Sequence, residues 1–231
     1  MSMEKIRSDF DRLAAFDSGD WNHNNHYHPY LLGNLPHQCA QSLEIGCGAG
    51  AFARLLAARS QYVLALDLSP EMIRIARERS ADFPNIEYRV ADVLEWPFPA
   101  EQFDCIASIA TLHHLPLDTM LAKIKTALKP GGTLLVLDLF NAKEPGDFLV
   151  GAIAFPINIL MSMGKAHRSS ASQGERLAWN EHSQHDHYLD IPSVRRICRE
   201  ILPGAIIKRH LFWRYSIVWQ KPADAQGNPS Q

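Results

Sequence analysis

The chain has almost no charge imbalance: 23 Lys and Arg stand against 25 Asp and Glu, leaving a net charge of −2 over 231 residues, and no run of five or more like charges occurs. Without a basic stripe or patch the composition offers no electrostatic footprint for DNA or RNA, so no nucleic-acid partner is expected. The opening MSMEKIRSDFDRL lacks the apolar core and small-residue cleavage site of a signal peptide, and a cytoplasmic location is expected. Cysteine is scarce, with Cys39, Cys47, Cys105 and Cys198 in no CxxC spacing. Cys105 sits in an apolar, strand-like run where a thiol behaves as a small hydrophobe, so neither a disulfide framework nor a zinc site is indicated. The most apolar segment, 148–163, is too short and too interrupted by Pro156 and Asn158 to cross a bilayer, which excludes integral membrane association.

What is present is a rhythm. From Ser42 onward apolar runs alternate with helical patterns: strand 42–46, helix 50–59, strand 62–67, helix 70–80, strand 86–91, strand 103–109, helix 117–128 and strand 132–139. Near-continuous apolar strands such as YVLALD and TLLVLDLF, separated by helices, predict a doubly wound α/β fold whose parallel sheet is covered on both faces. Ser69, Pro70 and Glu71 read as a cap, a first-turn proline and an acid at a helix start. Lys129, Pro130, Gly131 and Gly132 read as a helix stop. After Phe140 the rhythm breaks for about fifty residues, far beyond an ordinary connection. It resumes with a helix over 192–202 and two β-rich runs, 205–211 and 213–220, placed to pair as a hairpin at a sheet edge. The expected organisation is an N-terminal arm or lid over 1–37, a core domain over 38–221 with a helical cap inserted at about 141–190, and a disordered tail over 222–231.

The chemistry starts at LEIGCGAG, residues 43–50, a strand running into a turn with Gly46, Gly48 and Gly50 at alternate positions. Glycine takes backbone angles other residues resist and lets the main chain approach a ligand closely, so the stretch reads as a cradle for a nucleotide-like cofactor. Asp67 ends the second strand about twenty residues beyond the turn, where an acid can accept both hydroxyls of a ribose. Its competing reading, capping the next helix, is weakened because Ser69 already supplies that cap. Asp92, in VADVLEWPF, falls where an acid can take an adenine amino group, or equally where Asp bonds its own turn. A nicotinamide-binding GxGxxG would place its third glycine three positions after the second. Here Gly50 follows Gly48 by two and Ala51 holds the third-glycine place, a tolerated residue, so spacing alone leaves an oxidoreductase open.

LEIGCGAG, Asp67, Ala91-Asp92-Val93, FDCIASIATLHHL and LKPGGTLLVLDLF, in that order, resemble the successive motifs of class I S-adenosylmethionine-dependent methyltransferases, in particular the small-molecule group that includes the ubiquinone and menaquinone biosynthesis type. The resemblance covers about residues 40–140 and, by pattern, the last helix and hairpin. It implies a Rossmann-like seven-stranded sheet with an antiparallel C-terminal strand, with S-adenosylmethionine as cofactor and S-adenosylhomocysteine as its product. It further implies that Gly46, Gly48 and Gly50 face the methionine part, that Glu44 orients their loop and that Asp67 holds the ribose. Leu68 and Met72 would contact the adenine face, Asp92 its amino group and Val93 its ring nitrogen, and Ile109 or Ala110 would meet the methionyl amine.

A sulfonium methyl is already electrophilic, so such an enzyme chiefly aligns an acceptor atom and excludes water, with a base where the acceptor must lose a proton. His113 and His114, just past the fourth strand, stand where a substrate pocket should open and are the candidate bases, unless they only bond the backbone. Tyr27 and Tyr30, in the arm WNHNNHYHPYLLGNLP, either pack on the domain or close over the cofactor. His182, His185, Asp186 and His187 lack the fixed spacing of a metal motif and read as a solvated loop or a pocket wall, so no metal is assigned. Trp179 and Trp213 read as packing residues. The 148–163 segment reads as a lid over an apolar substrate rather than a dimer surface or a membrane-surface helix, because it lacks a basic face. The expected activity is methyl transfer to a small, partly apolar acceptor at oxygen, carbon or nitrogen, a homodimer being left open. The alternatives are a non-catalytic sensor of S-adenosylmethionine or S-adenosylhomocysteine and, behind it, a nicotinamide-dependent oxidoreductase.

Overall fold

The computed structural model of the chain describes residues 2–17, 23–141, 173–183 and 188–223. Expectations for 148–163, for His185, Asp186 and His187, and for the last eight residues lie outside them. In chain order the elements are α1 (Met3–Ala14), α2 (His28–Gly33), β1 (Cys39–Ile45), α3 (Ala51–Ala57), β2 (Ser60–Asp67), α4 (Pro70–Arg79), β3 (Ile86–Val90), β4 (Phe103–Ile109), α5 (Leu117–Ala127), β5 (Leu128–Leu139), α6 (Gln173–Ser183), α7 (Ile191–Ile201), β6 (Ile206–His210) and β7 (Arg214–Gln220).

The strands form one seven-stranded sheet in the order β3-β2-β1-β4-β5-β7-β6. The first five are mutually parallel, and β7 runs antiparallel to both β5 and β6. The expected α/β class and terminal hairpin are both present. Strand periodicity divides the core: Leu134 and Val136 of β5 enter one apolar cluster, with α5 and α7, while Leu135 and Leu137 enter the other, with α2, α3 and α4. Each central strand is therefore apolar at nearly every position, since both its faces are buried. All four cysteines are buried and unpaired. Among the described residues no helix is long and apolar enough to cross a membrane.

Capping follows the sequence at α4, where the Ser69 hydroxyl accepts the Met72 N–H at 3.1 Å and Pro70 occupies the first turn. The KPGG stretch differs from expectation. Helix α5 ends at Ala127, and Lys129–Gly132 lies within β5, where the step from Phe103 to Cys105 on β4 faces the step from Leu128 to Thr133. Gly131 takes φ +77° and its N–H donates to the Lys221 carbonyl at 2.9 Å, while Lys221 N–H returns a bond to the Gly132 carbonyl at 2.8 Å. The glycines make a bulge in the strand rather than a stop on the helix, because the last strand supplies partners for their backbone.

Strand β1 lies between β2 and β4, whose connections leave to opposite sides. At such a point the loops after β1 and β4 diverge and open a crevice at the carboxyl ends of the strands. Ile106, fully buried on β4, sits in the core beneath it. Ile106→Ala should lower unfolding free energy by about 2–5 kcal/mol in urea denaturation, with the far-ultraviolet spectrum unchanged; a loss under about 1 kcal/mol would show that this strand does not anchor the core.

Candidate active site

The turn after β1 is tied to β2 by its backbone, with the Gly46 and Cys47 N–H groups both donating to the Leu66 carbonyl, at 2.8 and 2.9 Å. The three glycines serve different ends. A Cβ on Gly46 would lie 2.0 Å from Thr111 Oγ1, and one on Gly50 would lie 2.4 Å from the Tyr88 hydroxyl, so both are packed against side chains. A Cβ on Gly48, at φ +49°, would meet nothing within 4 Å. Its open side is the cavity. Its N–H donates to Asp67 Oδ2 at 2.8 Å, while Asp67 Oδ1 accepts the Ser69 N–H at 2.9 Å. One carboxylate thus joins the turn after β1 to the turn after β2. Burial pushes the Asp67 carboxyl up from its ordinary range, and the backbone N–H donors oppose that rise.

The cavity over this clamp has a volume of about 270 Å³ and is lined by Glu44, Gly46, Gly48, Asp67, Leu68, Met72, Val93, Ile109 and His114 among the residues singled out from the sequence. Glu44 is 2% exposed, and its Oε2 is buried with no hydrogen-bond partner. Burial first, and the neighbouring Asp67 second, raise its carboxyl well above the usual range. A buried acceptor of this kind is costly unless a donor meets it.

The structure places the other expected residues away from this wall. Asp92 Oδ1 accepts the Leu94 N–H at 2.8 Å, the turn bond Asp commonly makes, and the cavity is faced by Ala91 and Val93 instead. Tyr27 is buried against the terminal hairpin and donates its hydroxyl to the Leu211 carbonyl at 2.9 Å. Tyr30 packs edge-on to His210, ring centres 5.0 Å apart. Both tyrosines pack on the domain, whereas Asn24, Asn25 and His28 of the same arm reach the cavity. Burial lowers the His28 imidazole to about 4, so it is neutral at neutral pH.

The cover comes from elsewhere. Helix α1 lays Met3, Ile6 and Phe10 over the cavity, and α6 adds Trp179. The two helices meet at buried Asp9, which accepts from Arg12 at 3.1 Å and faces His182 Nδ1 at 3.4 Å. Asp11 of α1 accepts a hydrogen bond from Ser69 Oγ at 2.5 Å, joining the cover to α4. The amphipathic spacing of Met3, Ile6 and Phe10 was the available signal for this role. Trp213 is half-exposed in the β6–β7 turn, at φ +55°. Ala110, at φ +51° beyond β4, also lines the cavity, its N–H held by the Leu137 carbonyl at 2.7 Å. A non-glycine residue in that conformation marks a locally constrained turn.

His113 and His114 lie ring against ring, centres 3.9 Å apart. His114 lines the first cavity and packs edge-on to Phe10 and His182, at 5.7 and 5.0 Å. A neighbouring cavity of about 530 Å³ is lined by both histidines. The Nδ1 of His113 lies 2.5 Å from Asp138 Oδ1, and its backbone N–H donates to Asp138 Oδ2 at 2.8 Å. Asp138, fully buried at the end of β5, was legible only as an acid in an otherwise apolar strand. Among the described residues no group of three His, Cys, Asp or Glu could hold a metal ion.

Glu44 makes the site testable in the ligand-free protein. Its unfolded value is near 4.5 and its folded value is higher, so between the two the unfolded chain holds fewer protons and stability falls as pH rises. Glu44→Gln should remove that loss: its melting temperature should gain on the wild type progressively from pH 4.5 upward, by differential scanning calorimetry. A pH-independent difference would show that the carboxyl is not desolvated.

Comparison with known proteins matches a methyltransferase-domain family over residues 43–136. An uncharacterized methyltransferase of Mycobacterium tuberculosis is 31% identical over 206 residues, covering 87% of this chain and 98% of the relative. A ubiquinone biosynthesis O-methyltransferase of Xylella fastidiosa is 28% identical over 77% of each chain. Among solved structures, the N-methyltransferase NodS of Bradyrhizobium japonicum, in complex with S-adenosyl-L-homocysteine, shares the fold at a TM-score of 0.64 and 20% identity, over 94% of this chain and 98% of that one. With the glycine turn, the acid ending β2 and the seven-stranded order in place, the chain belongs to the class I S-adenosylmethionine-dependent methyltransferases.

Proposed function

We propose that the first cavity binds S-adenosylmethionine and that the chain transfers its methyl group to a small, partly apolar acceptor. One observation carries the reading of the donor site: Gly48, open to the cavity, and Asp67 are held side by side, with the glycine N–H on the carboxylate. Each Asp67 oxygen accepts one backbone N–H and retains capacity for a ribose hydroxyl. Leu68, Met72 and Val93 give the adenine an apolar slot on one side of Asp67. Glu44, on the other, offers its partnerless oxygen to the methionyl ammonium, a pairing that would offset the cost of its burial. Asn24, Asn25 and neutral His28 supply further polar groups to the cavity. When bound, the donor supplies a methyl already activated on a sulfonium. The chain then has to hold that methyl in line with the acceptor and keep water out, and the α1–α6 cover over the cavity suits the second task. The ubiquinone biosynthesis relative, named as an O-methyltransferase, supports a small-molecule acceptor.

Asp67→Asn keeps one acceptor oxygen and should retain the fold while weakening S-adenosylmethionine binding about 10- to 100-fold, the effect of losing a charge-assisted hydrogen bond. Isothermal calorimetry reads the affinity and circular dichroism the fold. Unchanged affinity would remove Asp67 from the ribose site.

A further inference from the structure

Residues 191–215 carry six Lys or Arg and one acid, Glu200, in a chain whose net charge is −2. Elsewhere the cations have acidic partners: Arg12, Arg74, Arg79, Arg89, Lys129 and Lys221 each pair with a carboxylate. Arg195, Arg196 and Arg199 of α7 are exposed and make no ion pair or hydrogen bond with any described residue. Nor does the end of the helix call on them. The Ile201 carbonyl accepts from Lys125 Nζ at 2.8 Å and the Pro203 carbonyl from Trp219 Nε1 at 2.9 Å, so the negative end of the helix dipole is already met by a cation.

Beside these arginines, α7 and the start of β6 enclose a groove of about 370 Å³, lined by Arg195, Arg199, Cys198, Leu202, Ala205 and Ile207, with no acid among its lining residues. Arg195 and Arg199 are four positions apart and so are neighbours on one face of the helix. Glu200 lies about 100° round the helix from Arg199 and pairs with none of the three arginines. Burial pushes the Cys198 thiol up to about 12, so at neutral pH it adds no negative charge to the groove. Two guanidinium groups, which match the planar oxygens of a carboxylate, therefore stand beside an apolar strip. The volume falls within the roughly 300–1,000 Å³ of small-molecule sites. The groove shares no lining residue with the donor cavity or with the cavity next to it, although α7 also lends Ile197 to the latter.

We propose that the groove between α7 and β6 is a separate ligand site, that its ligand is an apolar molecule ending in a carboxylate, and that Arg195 and Arg199 close on the two carboxylate oxygens while Leu202, Ala205 and Ile207 lie along the apolar body. An uncharged molecule of the same shape gains only the apolar strip. A bare anion gains only the arginines, which are exposed and screened by salt. Both halves of the ligand are therefore needed. No step of the methyl transfer runs through this site, and it is independent of what the donor cavity binds.

The test uses the full chain and 4-alkylbenzoates from methyl to butyl, titrated by calorimetry beside the matching 4-alkylbenzamides, acetate and inorganic phosphate. Benzoate affinity should rise about two- to fourfold per added CH₂ until the groove is filled. The amide of equal length, acetate and phosphate should each bind about tenfold or more weakly than 4-butylbenzoate. Arg195→Gln and Arg199→Gln should each lower benzoate affinity about 3- to 30-fold, the loss of a charge-assisted hydrogen bond at an exposed site, and leave benzamide affinity unchanged. Arg196→Gln, outside the groove, should change nothing. All three are surface substitutions, and equal melting temperatures check that the fold is kept. Saturating S-adenosylhomocysteine should leave benzoate affinity unchanged. Absence of saturable benzoate binding, competition by S-adenosylhomocysteine, equal affinity for inorganic phosphate, or benzoate affinity unaltered by both Arg195→Gln and Arg199→Gln would overturn the site. Failure of S-adenosylhomocysteine to bind would overturn the donor reading alone, the arginine substitutions still deciding this one.

Discussion

A single carboxylate holds the site together. Asp67 ends β2, yet it takes one N–H from the glycine turn after β1 and one from the start of α4. Two loops that diverge from neighbouring strands are thereby locked at a fixed separation, and the cavity is the space that separation leaves. The constraint explains the residues around it. Gly48 has to present its N–H to the acid and its bare Cα to the cavity, which its left-handed backbone allows. Ser69 gives its N–H to Asp67 and its hydroxyl oxygen to the Met72 N–H, so clamp and helix cap are one connected set of bonds. Through the same hydroxyl, which donates to Asp11, the cover helix is attached to the clamp.

The fold was largely legible because both faces of the sheet are buried. A strand in that position must be apolar throughout, and YVLALD and TLLVLDLF declare themselves as such. Asp67 was singled out by its place, at the end of the second strand about twenty residues beyond the glycine turn. The sequence was ambiguous where a local rule had two outcomes. The KPGG stretch carries helix-stop residues, and only the pairing of Lys221 with Gly131 and Gly132 shows that they form a bulge. Asp92 can serve a ligand or its own turn, and in the ligand-free protein its Oδ1 accepts the Leu94 N–H. Gly50 looks like a third cradle residue by spacing, but what it avoids is Tyr88, a side chain from β3 that no local pattern brings near.

Long-range partners were the least legible. His113 and Asp138 are 25 positions apart and meet because β4 and β5 are neighbours in register. Asp9 and His182 are 173 positions apart and meet across the two helices that cover the cavity. Of the adjacent histidines, His114 lines both cavities and His113 the second alone, their ring centres 3.9 Å apart.

The central claim is that the space above the Asp67–Gly48 clamp is the donor site. A crystal structure of the protein with S-adenosylhomocysteine tests it most directly. The account predicts ribose hydroxyls within hydrogen-bond distance of Asp67, adenine between Met72 and Val93, and the amino group at Glu44. A nucleoside bound elsewhere, or bound here without contact to Asp67, would contradict it.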